Sequence, residues 1–261
     1  MNTPAGLRVL ILGGTGEARA LAGTLATGLA AAPGGRVVTS LAGRVARPRL
    51  PAGETRIGGF GGPVGLARWL RAERIDTVVD ATHPFATRIS ASALTACADV
   101  AVPLLVLRRP GWLAGPGDDW HRVADLATAA AALPGLGRRV MLTTGRQSLA
   151  AFAHLDGLFF LIRTIDPAAA PLPADRVLLL DRGPYTVDGE LALLRTHRID
   201  VLVTKDSGGR QTAAKLVAAR RLGLPVLMVD RSPAPTSVAT VATEEAALHW
   251  LARLRAGSAV E

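Results

Sequence analysis

The chain has 261 residues and a formal net charge of +9, with 49% apolar and only 4% aromatic residues, so it can form one large domain or two small ones with ample core. No run of about 18 uncharged apolar residues is present, which argues against a membrane-spanning helix. Arg8 and then glycines interrupt the apolar start that a signal peptide would need, and the reading is a soluble, cytoplasmic protein.

A single cysteine, Cys97, leaves no internal disulfide framework or multi-cysteine metal site and reads as a small core residue on a helix. The positive charge is almost all arginine, since Lys205 and Lys215 are the only lysines. It favours anionic partners. No basic stretch is interleaved with aromatics, so phosphorylated cofactors and polycarboxylate substrates are expected rather than nucleic acid.

Leu7 to Leu12 is a short apolar run suited to a buried parallel strand. It breaks into Gly13-Gly14-Thr15-Gly16, and Ala18 to Ala32 follows as a helix stopped by Pro33-Gly34-Gly35. Arg36 to Leu41 is a second strand, and an irregular basic stretch with Pro48 and Pro51 runs from Ala42 to Arg56. Gly58-Gly59-Phe60-Gly61-Gly62 is a second glycine-rich loop, before a helix from Pro63 to Glu73. Ile75 to Asp80 is the third strand, ending in Ala81-Thr82-His83-Pro84-Phe85. A helix through Ala98 and a strand from Val102 to Leu107 come next.

Arg108 to Asp119, rich in proline and glycine, is the linker candidate. The alternation restarts with strand Arg139 to Thr143, Thr144-Gly145-Arg146 at its end, helix Gln147 to His154 and strand Leu158 to Arg163. Strand Val177 to Leu180, helix Val187 to His197, strand Asp200 to Thr204, helix Thr212 to Leu222 and strand Pro225 to Val229 follow, and the last helix is Glu244 to Arg255. Alternating strands and helices imply right-handed crossovers and parallel sheets. The expected fold is α/β: two Rossmann-like domains, each a parallel sheet flanked by helices, with the active site in the cleft between them.

Strand, glycine turn and helix together present free N–H groups and a positive helix end to an anion. Read as G-x-G-x-x-G from Gly14, the motif has Arg19 in place of the third glycine, so alone it also suits a plain tight turn. More telling is that no Asp or Glu lies between Glu17 and Glu54, where a carboxylate for ribose hydroxyls would be expected. The end of the second strand offers Ser40, Gly43 and Arg44 instead, which would attract a ribose 2′-phosphate. NADPH is therefore expected over NADH or S-adenosylmethionine, with residues 1–108 as its domain and 109–261 as a second α/β domain contributing substrate binding. The only tyrosine, Tyr185, has Gly189 where a short-chain dehydrogenase would need lysine. No phosphate loop, nucleophile elbow or metal-ligand spacing of histidines is present. Hydride transfer needs no nucleophile, only orientation, charge neutralisation and a proton source.

Six blocks in order resemble one family, the precorrin-6A reductases of corrin-ring (cobalamin) biosynthesis. They are Gly13-Gly14-Thr15-Gly16-Glu17-Ala18-Arg19, Leu41-Ala42-Gly43-Arg44, Gly58-Gly59-Phe60-Gly61-Gly62, Asp80-Ala81-Thr82-His83-Pro84-Phe85-Ala86, Thr143-Thr144-Gly145-Arg146 and Thr204-Lys205-Asp206-Ser207-Gly208-Gly209. The resemblance implies NADPH-dependent reduction of one macrocycle double bond, precorrin-6A giving precorrin-6B, with hydride to C19 and a proton to C18. The cobalt-containing substrate of the anaerobic branch is an alternative, and a non-catalytic NADPH-binding sensor is another. The implied partner is the anionic precorrin itself. Neighbouring corrin-pathway enzymes are further candidates, and a monomer without metal, nucleic acid or membrane is expected.

On this reading Gly13, Gly14, Thr15, Gly16 and Glu17 surround the pyrophosphate, Ser40, Gly43 and Arg44 hold the 2′-phosphate, and Thr82 lies near the nicotinamide. His83, Lys205 and Tyr185 are the candidate catalytic residues. His83 either meets a substrate carboxylate or supplies the proton, or it fixes the turn before Pro84; Tyr185 is either a proton donor or a buried ring with a bonded hydroxyl. Phe85, Arg146, Lys205, Asp206 and Ser207 are the candidate substrate contacts, against plain structural roles for Arg146 and Lys205.

Overall fold

The computed structural model describes residues 6–28, 33–43, 48–169 and 171–257. The first elements in chain order are β1 (Arg8–Leu12), α1 (Gly16–Thr27), β2 (Arg36–Leu41), β3 (Glu54–Ile57), α2 (Gly62–Ala72), β4 (Thr77–Asp80), α3 (Thr87–Asp99) and β5 (Leu104–Leu107). Next come β6 (Trp120–Val123), α4 (Leu126–Ala132), β7 (Arg139–Leu142), β8 (Phe159–Thr164), β9 (Arg176–Leu180), α5 (Val187–Thr196) and β10 (Val201–Lys205). The chain closes with α6 (Ala214–Arg221), β11 (Val226–Val229), β12 (Ala239–Val241) and α7 (Glu244–Gly257). Two compact units result, Met1–Pro110 with Ser232–Glu261, and Gly111–Arg231.

Each unit holds one six-stranded sheet, ordered β12-β5-β4-β1-β2-β3 in the first and β6-β11-β10-β7-β8-β9 in the second. Every pairing is parallel. Inner strands of such sheets are buried on both faces, so they read as unbroken apolar runs rather than alternating ones. In β1, Val9 and Ile11 join Leu21, Leu25 and Leu251 on the face covered by α1 and α7. Leu10 and Leu12 join Leu66, Leu70 and Cys97 on the face covered by α2 and α3. Burial of Cys97 raises its thiol pKa to about 12, as suits an inert core residue.

The two sheets share one order: β1 and β7 sit centrally, two later strands extend one way, and the chain then crosses back to extend the other. The sixth strand differs in origin. β6, which follows β5 in sequence, lies beside β11; β12, which follows β11, lies beside β5. The division expected at residue 108 gave everything after it to the second half. Ser232–Glu261 instead belongs to the first unit, because β12 completes that sheet beside β5 and α7 packs on α1.

β3, β6, β12 and α4 were not among the expected elements. All three strands are sheet edges with partly exposed sequences, Glu-Thr-Arg-Ile, Trp-His-Arg-Val and Ala-Thr-Val, so they lack the apolar run that marks a central strand. The helix expected from Gln147 is a 3₁₀ helix, Arg146–Phe152.

The second unit buries a charged cluster. Arg163 Nη1 and Nη2 bind Glu190 Oε1 and Oε2 at 2.5 and 3.3 Å, tying β8 to α5. Lys215 on α6 is 4% exposed; its Nζ donates to the carbonyl of Thr212 at 3.1 Å and lies 5.0 Å from the Trp112 ring centroid. Burial first, then Arg163 against the opposing pull of Glu190, lowers its pKa from 10.5 to about 7. The unfolded chain therefore binds an extra proton at Lys215 between about pH 7 and 10.5, and stability rises with pH across that window. Lys215→Met is expected to remove this rise. Thermal melts of both proteins from pH 6 to 10 check it, with the wild type gaining several degrees relative to the variant; parallel curves would show that Lys215 keeps its proton.

Candidate functional site

In a doubly wound parallel sheet, ligands bind outside the carboxyl ends of the strands where the crossovers reverse direction. In the first unit that place lies between β1 and β4. The chain leaves β1 through Gly13, whose N–H donates to the carbonyl of Ser40 on β2 at 2.9 Å. A Cβ on Gly13 would come within 2.7 Å of Thr39 Cγ2, so only glycine permits this approach of the two strands. Gly14 has φ of +113°, and a Cβ there would project into open space.

Thr15 caps α1. Its hydroxyl accepts from the N–H of Ala18 at 3.1 Å and donates to the carbonyl of Ala81, just past β4, at 2.7 Å. That side chain is thereby committed to structure. Among the described residues, the N–H groups of Gly14, Thr15 and Gly16 have no acceptor. These donors and the start of α1 meet the requirement for an anion-binding turn. Glu17, in the first turn, has its carboxylate held by Arg109 Nη1 at 2.7 Å. Thr15, Glu17, Ala81, Thr82, Arg108 and Arg109 line one depression at this edge. Both arginines lie in the expected linker and were not expected at the site.

At the end of β2, Ser40 is buried, and its hydroxyl accepts from Arg56 Nη1 at 2.9 Å. Gly43 follows with φ of +70°. Arg44 and its neighbour Arg47 lie outside the described residues.

Past β4, the Asp80 carboxylate accepts from the N–H and hydroxyl of Thr82 at 3.1 and 2.7 Å, which fixes the turn. Thr82 and Asp80 then help to wall a cavity of about 210 Å³ with Ser90, Leu94, Val106 and Arg108. His83 is exposed; its Nδ1 accepts from the N–H of Phe85 at 3.3 Å, and the two rings lie 5.8 Å apart. A neutral imidazole accepting at Nδ1 carries its proton on Nε2. Gly13 to Glu17, Ser40, Gly43, Thr82, His83 and Phe85 are thus all at the carboxyl edge of the first sheet.

In the second unit the equivalent edge lies between β7 and β10. Lys205 ends β10; its Nζ donates to Ser148 Oγ at 2.5 Å, and burial pushes its ammonium below the ordinary lysine pKa. Arg146 opens the 3₁₀ helix after β7, with Nη1 donating to the carbonyl of Pro167 at 3.3 Å. Ser207 is buried, two residues beyond Lys205, and its N–H donates to the Lys205 carbonyl at 2.7 Å.

Asp206 faces other partners. Its oxygens accept from the N–H of Trp112 at 2.9 Å, from Arg122 at 2.9 Å and from Arg231 at 3.2 Å. Burial pushes its pKa up, but these donors outweigh it and hold the carboxyl below its usual range. Asp206 pins the 111–112 segment rather than presenting a bare carboxylate. Tyr185 lies past β9, and its N–H donates to the carbonyl of Gln211, in the segment after β10, at 3.3 Å; its ring centroid is 3.7 Å from the Arg163 guanidinium, and its hydroxyl donates to the Asp181 carbonyl at 3.2 Å. Burial raises its pKa. Among the described residues, no three His, Cys, Asp or Glu side chains gather as a metal site, and no helix is long and apolar enough to cross a membrane.

Comparison with known proteins gives the same outline. A precorrin-6A reductase of Rhodococcus erythropolis is 57% identical over 247 residues, covering 95% of this chain and 98% of the relative. One of Mycobacterium tuberculosis is 50% identical over 248 residues, with 95% and 98% covered. A solved structure described as CobK precorrin-6A reductase superposes with a TM-score of 0.87 at 45% identity, covering 95% of this chain and 97% of that one. The family model for precorrin-6x reductase CbiJ/CobK matches residues 8–252, and the chain belongs to that family.

Proposed function

We propose that the protein is an NADPH-dependent precorrin-6A reductase of cobalamin biosynthesis, reducing one double bond of the macrocycle with hydride to C19 and a proton to C18. The observation that carries the reading is the open glycine turn at the β1–β4 edge, in a chain of a reductase family. Bound NADPH would supply the hydride. The N–H groups of Gly14, Thr15 and Gly16, without an acceptor among the described residues, suit its diphosphate, and Arg109 offsets the charge of Glu17, which would otherwise repel it. Ser40, Gly43 and Arg44 are assigned to the 2′-phosphate. Thr82, held by Asp80, shapes the wall of the neighbouring cavity, where the reactive ring of the cofactor is placed.

His83 and Phe85 are assigned to the substrate, with His83 Nε2–H donating to a carboxylate, or the imidazolium form delivering the proton and returning to neutral imidazole. Lys205, Arg146 and Ser207 offer cationic and hydroxyl donors to the ring carboxylates. Asp206 and Tyr185 are left out of the chemistry, because their polar atoms already serve neighbouring backbone and arginines.

Mixing the protein with NADPH and precorrin-6A is expected to bleach the nicotinamide absorbance in stoichiometric amounts. Binding of NADPH without consumption would instead identify a sensor, and turnover only with the cobalt-containing ring would move the protein to the anaerobic branch. At saturating NADPH, His83→Ala and Lys205→Ala are each expected to lower turnover about tenfold or more, while the Michaelis constant for NADPH stays within about twofold. If neither variant slows turnover, the substrate assignment is wrong. Arg44→Ala is expected to raise the Michaelis constant for NADPH far more than that for NADH; equal changes would remove Arg44 from the 2′-phosphate site.

A further inference from the structure

β3 was absent from the expected elements, and it carries the arginine that the structure brings to the cofactor edge. β2 and β3 run in parallel with Val38 opposite Glu54 and Ser40 opposite Arg56. Glu54 and Arg56 are two residues apart, yet their surroundings differ. Glu54 turns to Arg36 at the amino end of β2, binding it at 2.7 Å, and Glu73 binds the same guanidinium at 2.5 Å. That cation is neutralised twice.

Arg56, at the carboxyl end, has no carboxylate among the described residues. Nη1 donates to Ser40 Oγ and to the Gly58 carbonyl, both at 2.9 Å, and Nη2 donates to the Gly59 carbonyl at 3.1 Å. The guanidinium carbon lies 3.8 Å from the Phe60 ring centroid and 5.7 Å from that of Trp69. The side chain is therefore fixed in place by a strand, a glycine loop and an aromatic face. Its Nε–H and one N–H of Nη2 have no acceptor among the described residues.

A half-buried cation with neutral partners alone is unfavourable by itself, and burial lowers its pKa accordingly. An incoming dianion would reverse that balance, because a preset guanidinium presents paired donors to phosphate at little entropic loss. The direction of the Ser40 bond matters as well. Arg56 donates to the Ser40 oxygen, so the Ser40 hydroxyl proton remains to be given to a third group. Ser40 in turn is joined to the glycine turn through the Gly13 N–H. The three residues form one continuous hydrogen-bonded edge across β1, β2 and β3.

We propose that Arg56, together with Ser40, binds the ribose 2′-phosphate of the dinucleotide, so that β3 is a specificity-determining strand for NADPH over NADH. This rests on the NADPH reading above, and the two can fail separately. Titration calorimetry with NADP⁺ and NAD⁺ on the full chain is the test. The wild type is expected to bind NADP⁺ at least about tenfold more tightly than NAD⁺. Arg56→Gln should weaken NADP⁺ binding about ten- to a hundredfold and NAD⁺ binding by less than about threefold. Arg56→Lys, which keeps the charge and loses the fork, should fall between.

Ser40→Ala leaves Arg56 in place and guards against a folding artefact; it should weaken NADP⁺ several-fold and leave NAD⁺ unchanged. No preference in the wild type would overturn the NADPH reading and this proposal with it. A preference that survives Arg56→Gln, or an equal loss for both nucleotides, would overturn the proposal alone and leave Arg56 as a brace for the glycine loop.

Discussion

Gly13 brings β1 and β2 together because it lacks a side chain. With Thr39 Cγ2 lying 2.7 Å from where a Cβ would stand, and its N–H bonded to the Ser40 carbonyl, the end of β1 is fixed to its neighbour. The turn that follows must then leave the sheet at a set place and angle, and among the described residues the N–H groups of Gly14, Thr15 and Gly16 have no acceptor there. Thr15 secures the other side, reaching across to the Ala81 carbonyl beyond β4. The open glycine turn is thus set by packing between neighbouring strands, and a substitution at Thr39 would alter it through geometry alone.

The second unit repeats the strand order with other chemistry at the same edge. Where the first has glycine amides and a capping threonine, the second has Arg146, Ser148, Lys205 and Ser207. The first edge presents chiefly backbone N–H groups, which under the proposed function would suit a diphosphate of fixed shape. The second presents side-chain cations, which would suit several carboxylates spread over a large ring. Beneath that edge, Arg163, Glu190 and Lys215 place two cations and one carboxylate in the core, a charge state that depends on the medium.

Most central strands were readable because burial on both faces leaves a dense apolar run, as in Leu10-Ile11-Leu12 or Val201-Leu202-Val203. The edge strands β3, β6 and β12 have no such mark and passed unseen for that reason, whereas β9 is an edge that keeps an apolar run. The glycine turn and the Thr82-His83 loop were legible as turns at the carboxyl edge of a parallel sheet, since their residue types mark that geometry locally. The part played by Arg56 was not, since it depends on the β2–β3 register and on Phe60 lying under the guanidinium. The partners of Asp206 were equally hidden: a motif neighbour of Lys205, it binds Trp112, Arg122 and Arg231, residues far away in sequence.

The exchanged sixth strands bear on how the protein is made. On the ribosome the first unit emerges early, yet the outer edge of β5 has no partner until Ala239–Val241 has been synthesised. β6, by contrast, appears before the β11 strand it must join. For most of translation each sheet therefore carries an open edge, and open parallel edges are slow to pair and prone to pair wrongly. A gene cut at the apparent boundary near residue 110 would leave the first fragment without β12 and α7, which finish its sheet, and the second with both as surplus chain. The connection that best permits new termini is one inside a unit, which would leave both crossings between the units covalently intact.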